Sequence, residues 1–201
     1  MKKLFIALIL LFLITTTSFA AKDDSAVKIF SISAEDFGGC SGVIVKNDKD
    51  VCIILTAKHC LNTHEEIYVE DKPVQLIIAS KDDDLTILIV EGNIPDKKAV
   101  TIAEYNQTIG DQAYHVGYSN NTLYEPTGTL TRFTKDWVFY DMYAKPGCSG
   151  GGIFNDKNEL VGILWGGLTF QDVTIAEPLK DIKRFLKEIQ TYTPYLIESK
   201  Q

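Results

Sequence analysis

Three short runs hold the residues whose types could carry chemistry. Pro146-Gly147-Cys148-Ser149-Gly150-Gly151-Gly152 sets a serine among glycines. Glycines let backbone N–H groups approach a substrate carbonyl, because no Cβ stands in the way. The serine offers a hydroxyl at the same place. A nucleophile beside oxyanion donors is half of an acyl-transfer site. The same composition also suits a plain turn between strands, so a base and an orienting acid decide between the two readings. Leu55-Thr56-Ala57-Lys58-His59-Cys60 follows an apolar strand and sets His59 at its end, where a side chain can face a cleft. Asp84 comes 25 residues after His59, at the close of Asp82-Asp83-Asp84. Asp82 and Asp83 read as a solvated turn. Asp84 directly precedes an apolar strand and is the acid expected to turn inward. His64 and His115 read as ordinary surface or strand histidines.

Strands must hold these side chains. Residues 27–32, 43–45, 51–55, 67–69, 74–79 and 85–90 are short runs rich in β-branched types, separated by turn clusters such as Asn47-Asp48-Lys49-Asp50. Residues 91–98 read as a linker. Strands resume at 100–102, 112–117, 124–133, 137–140, 152–154, 160–165 and 173–176. Many short strands imply an all-β barrel or sandwich, and similar numbers on each side of the linker imply two similar barrels. One segment departs from the pattern. Leu179, Ile182, Phe185, Leu186 and Ile189 fall on one face at helical spacing, with Pro178 at the start and Pro194 expected to end the helix.

The chain has 201 residues, 45% hydrophobic and 23% charged, as a folded globular protein does. Its net charge of −7 and the lack of a basic stripe exclude nucleic acid as a partner. Lys2 and Lys3 precede an eleven-residue apolar run at 4–14, and Ser18 and Ala20 are the small residues before a cut. This is the layout of a signal peptide over 1–20, and the run is short for a membrane anchor. The expectation is an exported protein, periplasmic or secreted, with no stable membrane association after cleavage. Export would let disulfides persist among Cys40, Cys52, Cys60 and Cys148. Four cysteines allow three complete pairings, and none of the spacings resembles a zinc site.

Taken together, Thr-Ala-x-His-Cys around His59, Asp-Leu-x-x-Leu from Asp84 and Gly-x-Ser-Gly-Gly around Ser149 resemble the chymotrypsin-like (trypsin-fold) serine proteases, in that family's order. The resemblance covers nearly all of residues 26–190. Ser41-Gly42-Val43-Ile44, the Gly110-Asp111 to His115-Val116-Gly117-Tyr118 segment, and Pro146-Gly147-Cys148-Ser149-Gly150-Gly151 are closer to the compact bacterial branch that includes HtrA-type proteases. The chain ends at Gln201, so no PDZ domain is expected.

The resemblance implies two six-stranded antiparallel β-barrels packed face to face, with a C-terminal helix. The protease domain would fill 21–201: a first barrel at about 26–91, a second at about 99–177 and the helix at about 178–192. It implies a serine endopeptidase acting on protein or peptide substrates, with no metal and no cofactor. His59 would be the base, Asp84 its orienter and Ser149 the nucleophile. The N–H groups of Gly147 and Ser149 would form the oxyanion hole. Tyr143, six residues before Ser149, would lie near the primary pocket. Trp165 and Gly166 would line the substrate strand. With Tyr143 rather than an acid there, and Asp141 only nearby, the expected preference is a small or medium apolar residue before the cut. The family's bridge beside the base implies Cys40–Cys60, and Cys52–Cys148 is a possible second bridge. Cys148 stands where activated trypsin-like enzymes carry the aspartate that pairs with a new N-terminus, so no zymogen cleavage is expected. A cysteine nucleophile follows a Gly-x-Cys-Gly pattern, and the register here favours Ser149 instead. Two alternatives remain beside a general protease: a catalytically silent binding module on this fold, and a dedicated effector protease with one target.

Overall fold

The computed structural model describes residues 23–32, 37–61, 66–168 and 171–198. The expected signal peptide and His64 lie outside the described residues. Strands β1 (Ala26–Ile32), β2 (Phe37–Asn47), β3 (Val51–Ala57), β4 (Glu66–Val69), β5 (Lys72–Pro73), β6 (Leu76–Ala79) and β7 (Leu85–Glu91) form one antiparallel sheet in the order β5-β4-β1-β2-β3-β7-β6. The second sheet contains β8 (Thr101–Ile102), β9 (Gln112–Ser119), β10 (Thr122–Tyr124), β11 (Thr127–Phe133), β12 (Val138–Tyr140), β13 (Gly152–Phe154), β14 (Glu159–Leu168) and β15 (Val173–Pro178). Its path runs β10-β9-β11-β12-β15-β14-β13, and β13 returns to pair with β9. That return closes six strands into a barrel. Helix α1 (Leu179–Glu198) follows directly.

The molecule is therefore all-β with a C-terminal helix, as expected, but the two halves close differently. The first sheet has seven strands and an open path where a closed six-stranded barrel was expected. Pro73 ends β5 and has no N–H to extend a ladder. Beyond it, the Val74 amide donates to Ile67 of β4 and the Gln75 amide to Ile89 of β7. The gap is spanned by single bonds rather than by paired strands. The run at 124–133, predicted as one strand, is two, because Pro126 interrupts the ladder between β10 and β11. Helix α1 continues through Pro194 to Glu198, past its expected end at 192.

Why β3 and β7 are apolar over most of their length becomes clear from what they separate. Cys52 and Ile54 of β3, with Leu88 and Val90 of β7, point into the interior of the first sheet beside Val27, Ile29 and Ile44. The alternate residues Ile53, Leu55, Leu85 and Ile87 face outward. They pack on Tyr114, Val116, Phe154, Leu160 and Ile163 of the second barrel and on Ile182, Phe185 and Ile189 of α1. A strand buried on both faces has no polar side to show. The linker is fastened as well. Asn47 donates to the carbonyls of Ile94 and Lys97 at 2.9 and 2.8 Å and accepts from the Ile94 amide at 2.9 Å.

Cys40 of β2 is bonded to Cys60, in the 3₁₀ turn Lys58–Leu61 that carries His59. Cys52 and Cys148 are buried free thiols lodged in different apolar clusters, so the possible second bridge is not formed. Closing the Cys40–Cys60 loop restricts the unfolded chain by about 3 kcal/mol. Intact-mass measurement after alkylation should find two reactive thiols in the denatured protein and four once it is also reduced. Reduction should lower the folding stability by about that 3 kcal/mol.

Candidate active site

Strand register brings His59 and Asp84 together. Antiparallel pairing of β3 with β7 sets Ala57 opposite Leu85. The residues just after one strand and just before the other are then neighbours, and Lys58 N–H donates to the Asp84 carbonyl at 3.0 Å. Asp84 grips His59 twice. Its Oδ1 accepts the His59 backbone N–H at 2.8 Å, and its Oδ2 lies 2.5 Å from the ring Nδ1. The imidazole is fixed in orientation, and Nδ1 carries the proton shared with the carboxylate. Nε2 is the nitrogen left to exchange a proton. Asp83, read as part of a solvated turn, is instead tied inward by Ser80 and Arg184.

The serine loop lies against the same strands. Gly147 and Gly150 have φ of 90° and 82°, which L side chains rarely adopt. A Cβ on Gly150 would stand 2.1 Å from Thr56 Oγ1 and 2.3 Å from the Ser41 carbonyl. Within the loop, the amides of Cys148, Gly150 and Gly151 donate to Lys145, Leu164 and Cys148. Among the described residues, the amides of Gly147 and Ser149 have no such partner. The Ser149 hydroxyl donates to the Trp165 carbonyl at 3.2 Å, so it rests on β14 rather than on the imidazole. The Trp165 ring meets the His59 ring edge-on, with centroids 6.1 Å apart. Contacts through Asp84 and Trp165 thus gather His59, Asp84, Ser149 and Trp165 in one place.

The remaining expected residues are less uniform. Gly166 faces open space, since a Cβ there would meet nothing within 4 Å. Tyr143 is half-buried, and its carbonyl accepts the Tyr124 hydroxyl at 3.2 Å. Beside it the wall is apolar: Ala144, Cys148 and Leu164 pack together with Tyr124. Asp141 is not part of that wall, because its carboxylate accepts the Thr129 amide of β11. Burial raises the Cys148 thiol above its ordinary pKa, which disfavours the thiolate a cysteine nucleophile needs.

Sequence reasoning gave no role to four residues that the fold places here. Ser41 is fully buried and joins the loop to both halves. Its N–H donates to the Ser149 carbonyl at 2.8 Å, and its hydroxyl donates to the Gly147 carbonyl at 2.9 Å and accepts from Tyr118 N–H at 2.7 Å. Trp137 packs on Trp165 at 5.2 Å. Glu177 accepts the Asp84 amide at 2.9 Å. His115 is fully buried under the loop, where Nδ1 pairs with the Gly152 carbonyl at 3.0 Å and Nε2 has no partner among the described residues. A Cβ on Gly117 or Gly151 would strike its ring, so those glycines make its space. Only the Ser41-Gly42 pair, in register with the family pattern, hinted at any of this. Asp83, Glu177 and Asp181 approach as three carboxylates, but Arg184 pairs with Asp83 and Asp181 and makes the group an ion-pair cluster rather than a metal cage.

Burial holds the His115 pKa down at about 3, below its ordinary 6.5. The unfolded chain therefore takes up a proton that the folded one refuses. This contribution to stability is complete above pH 6.5 and is lost as pH falls toward 3. Denaturant midpoints should fall more steeply between pH 6.5 and 4 in the native protein than in His115→Asn. Ser41→Ala should cost about 1–3 kcal/mol, because buried backbone partners lose the hydroxyl; urea titration measures it.

Known proteins share this chain's fold and part of its sequence. A family model described as a trypsin-like peptidase domain matches residues 40–163. Glutamyl endopeptidases of Staphylococcus aureus are similar over 85 residues: 32% identical in strain MRSA252 and 31% in strain MW2, covering 42% of this chain. The match spans about a quarter of those relatives' length, 24% and 26%. Among solved structures, the serine endoprotease from Yersinia pestis superposes with a TM-score of 0.70 at 21% identity, over 84% of this chain and 66% of that one. A protease from M. tuberculosis in its active form superposes at 0.66 with 19% identity, over 79% and 78%.

Proposed function

Because the chain belongs to the trypsin-like peptidase domain family, we propose that it is an exported bacterial serine endopeptidase with His59, Asp84 and Ser149 as its triad. The observation that carries this reading is the double contact of Asp84 with the backbone and ring of His59, beside a serine loop that leaves two amides unused. The Ser149 hydroxyl turns from the Trp165 carbonyl toward His59 Nε2 and gives up its proton as Oγ attacks the peptide carbonyl. Asp84 stabilises the imidazolium that forms. The amides of Gly147 and Ser149 receive the oxyanion, each worth about 3–4 kcal/mol of barrier. His59 then protonates the leaving amine, and water releases the acyl group from Ser149. Every step uses protein groups and the hydrolytic water.

The apolar wall of Ala144, Cys148 and Leu164 favours a small or medium apolar residue before the cut. The glutamyl endopeptidases are named for a different preference; the cation at this wall, Lys145, lies with its Nζ over the Tyr124 ring at 4.0 Å from the centroid. Gly166 leaves room for the substrate backbone to lie along β14 as an added strand. Cys148 is buried among apolar groups and takes no part in an ion pair with a new N-terminus, so the loop needs no zymogen cleavage.

A fluorophosphonate probe should label the native protein and fail to label Ser149→Ala. A folded native protein that stays unlabelled would favour the silent binding module. Cleavage mapping on a peptide library should return apolar residues before the cut; strict preference for Glu or Arg would refute the pocket assignment. A chain with residues appended before Ala21 should react as fast as the mature one.

A further inference from the structure

Behind the acid sits a carboxyl group that the triad does not use. Glu177 closes β15 beside Pro178 and is 3% exposed. Its Oε1 accepts the Asp84 amide, so it touches the backbone of the residue that orients His59. Around it are Asp83 and Asp84 from the turn before β7, and Asp181 from α1. Lys135 lines the same cavity, and the other cations nearby are committed elsewhere. Arg184 is held by Asp83 at 2.5 Å and by Asp181 at 2.9 Å, and Lys180 by Asp181 at 3.4 Å. Lys58 donates to the carbonyls of Ser80 and Asp83. Among the described residues, no ion pair reaches Glu177.

We propose that Glu177 is a positioning residue for Asp84, and that its charge is coupled to the proton His59 must accept. The inference rests on the protease reading above. Hydrogen bonding to the Asp84 amide sets the carboxylate that grips the imidazole. Charge acts along the same line: a negative group behind Asp84 favours the protonated ring, which cannot serve as a base. Burial, followed by repulsion from Asp83, Asp84 and Asp181, pushes Glu177 up to about 7. It therefore changes charge in the range where a histidine base works. It also lines a cavity of about 610 Å³ with Trp137 and Trp165, which lets it exchange protons with water.

Glu177→Gln keeps an oxygen acceptor for the Asp84 amide and removes the charge. Glu177→Leu removes both. The rate constant for inactivation by a fluorophosphonate, measured from pH 5 to 9, separates the two roles. The native protein should show two linked ionisations. Glu177→Gln should show one, with its acid limb at lower pH by on the order of half a unit. Glu177→Leu should react at least about tenfold slower than Glu177→Gln on the plateau. If native and Glu177→Gln profiles superimpose, the inference fails and the protease reading stands. If the native protein does not react at all, both fail. Should Glu177→Leu not fold, the comparison of native with Glu177→Gln still decides.

Discussion

Among the described glycines, Gly150 leaves the least room for a Cβ. Its backbone passes so close to the Ser41 carbonyl and the Thr56 hydroxyl that no side chain fits, and its φ of 82° is one that only glycine takes freely. The serine loop, which belongs to the second barrel, is thereby pressed onto β2 and β3 of the first sheet. Ser41 then bonds both Gly147 and Ser149 across the seam. The bridge from Cys40 to Cys60 lies next to this contact, with Cys60 Sγ 3.7 Å from the Ser149 carbonyl oxygen. Neither half could hold the cleft alone. The apolar seam of Leu55, Leu85 and Ile87 against Val116 and Ile163 holds the halves together, and the polar contacts set their register.

Much of this was legible in the residues. His59 and Asp84 each flank an apolar strand, and antiparallel pairing of those two strands suffices to make them neighbours. The serine loop announced itself by its glycines. Strand positions followed from runs of β-branched residues and turn clusters, because both signals are local. What was hidden depends on distant pairing. His115 looked like any strand histidine, since nothing around it in the chain shows that Gly117 and Gly151 are carved out for its ring. Nothing near Glu177 in the chain singles it out, since its partner Asp84 is far away in sequence. The open first sheet was hidden for the same reason: Pro73 is visible as a strand breaker, but the side on which its missing donor would fall is not.

The acids near the site illustrate how a fold apportions few cations among many carboxylates. Arg184 serves two acids at once, and its planar fork suits that task better than a lysine would. Helix α1 is thus more than a cover for the apolar seam. Its first turns carry Asp181 and Arg184, which hold the turn leading into Asp84.

The two free thiols carry a consequence for how the protein must assemble. In an oxidising compartment the chain meets oxidants while it is still unfolded, and all four cysteines are then open to exchange. In the finished protein, burial pushes Cys52 up to about 12 and keeps it protonated, out of reach of the Cys40–Cys60 bond. Cys148 is sealed away from it in another cluster. Correct oxidation is therefore a race. The first sheet has to close over Cys52, and the serine loop over Cys148, before either sulfur captures the wrong partner. The packing that shapes the cleft also protects the bridge from its own chain.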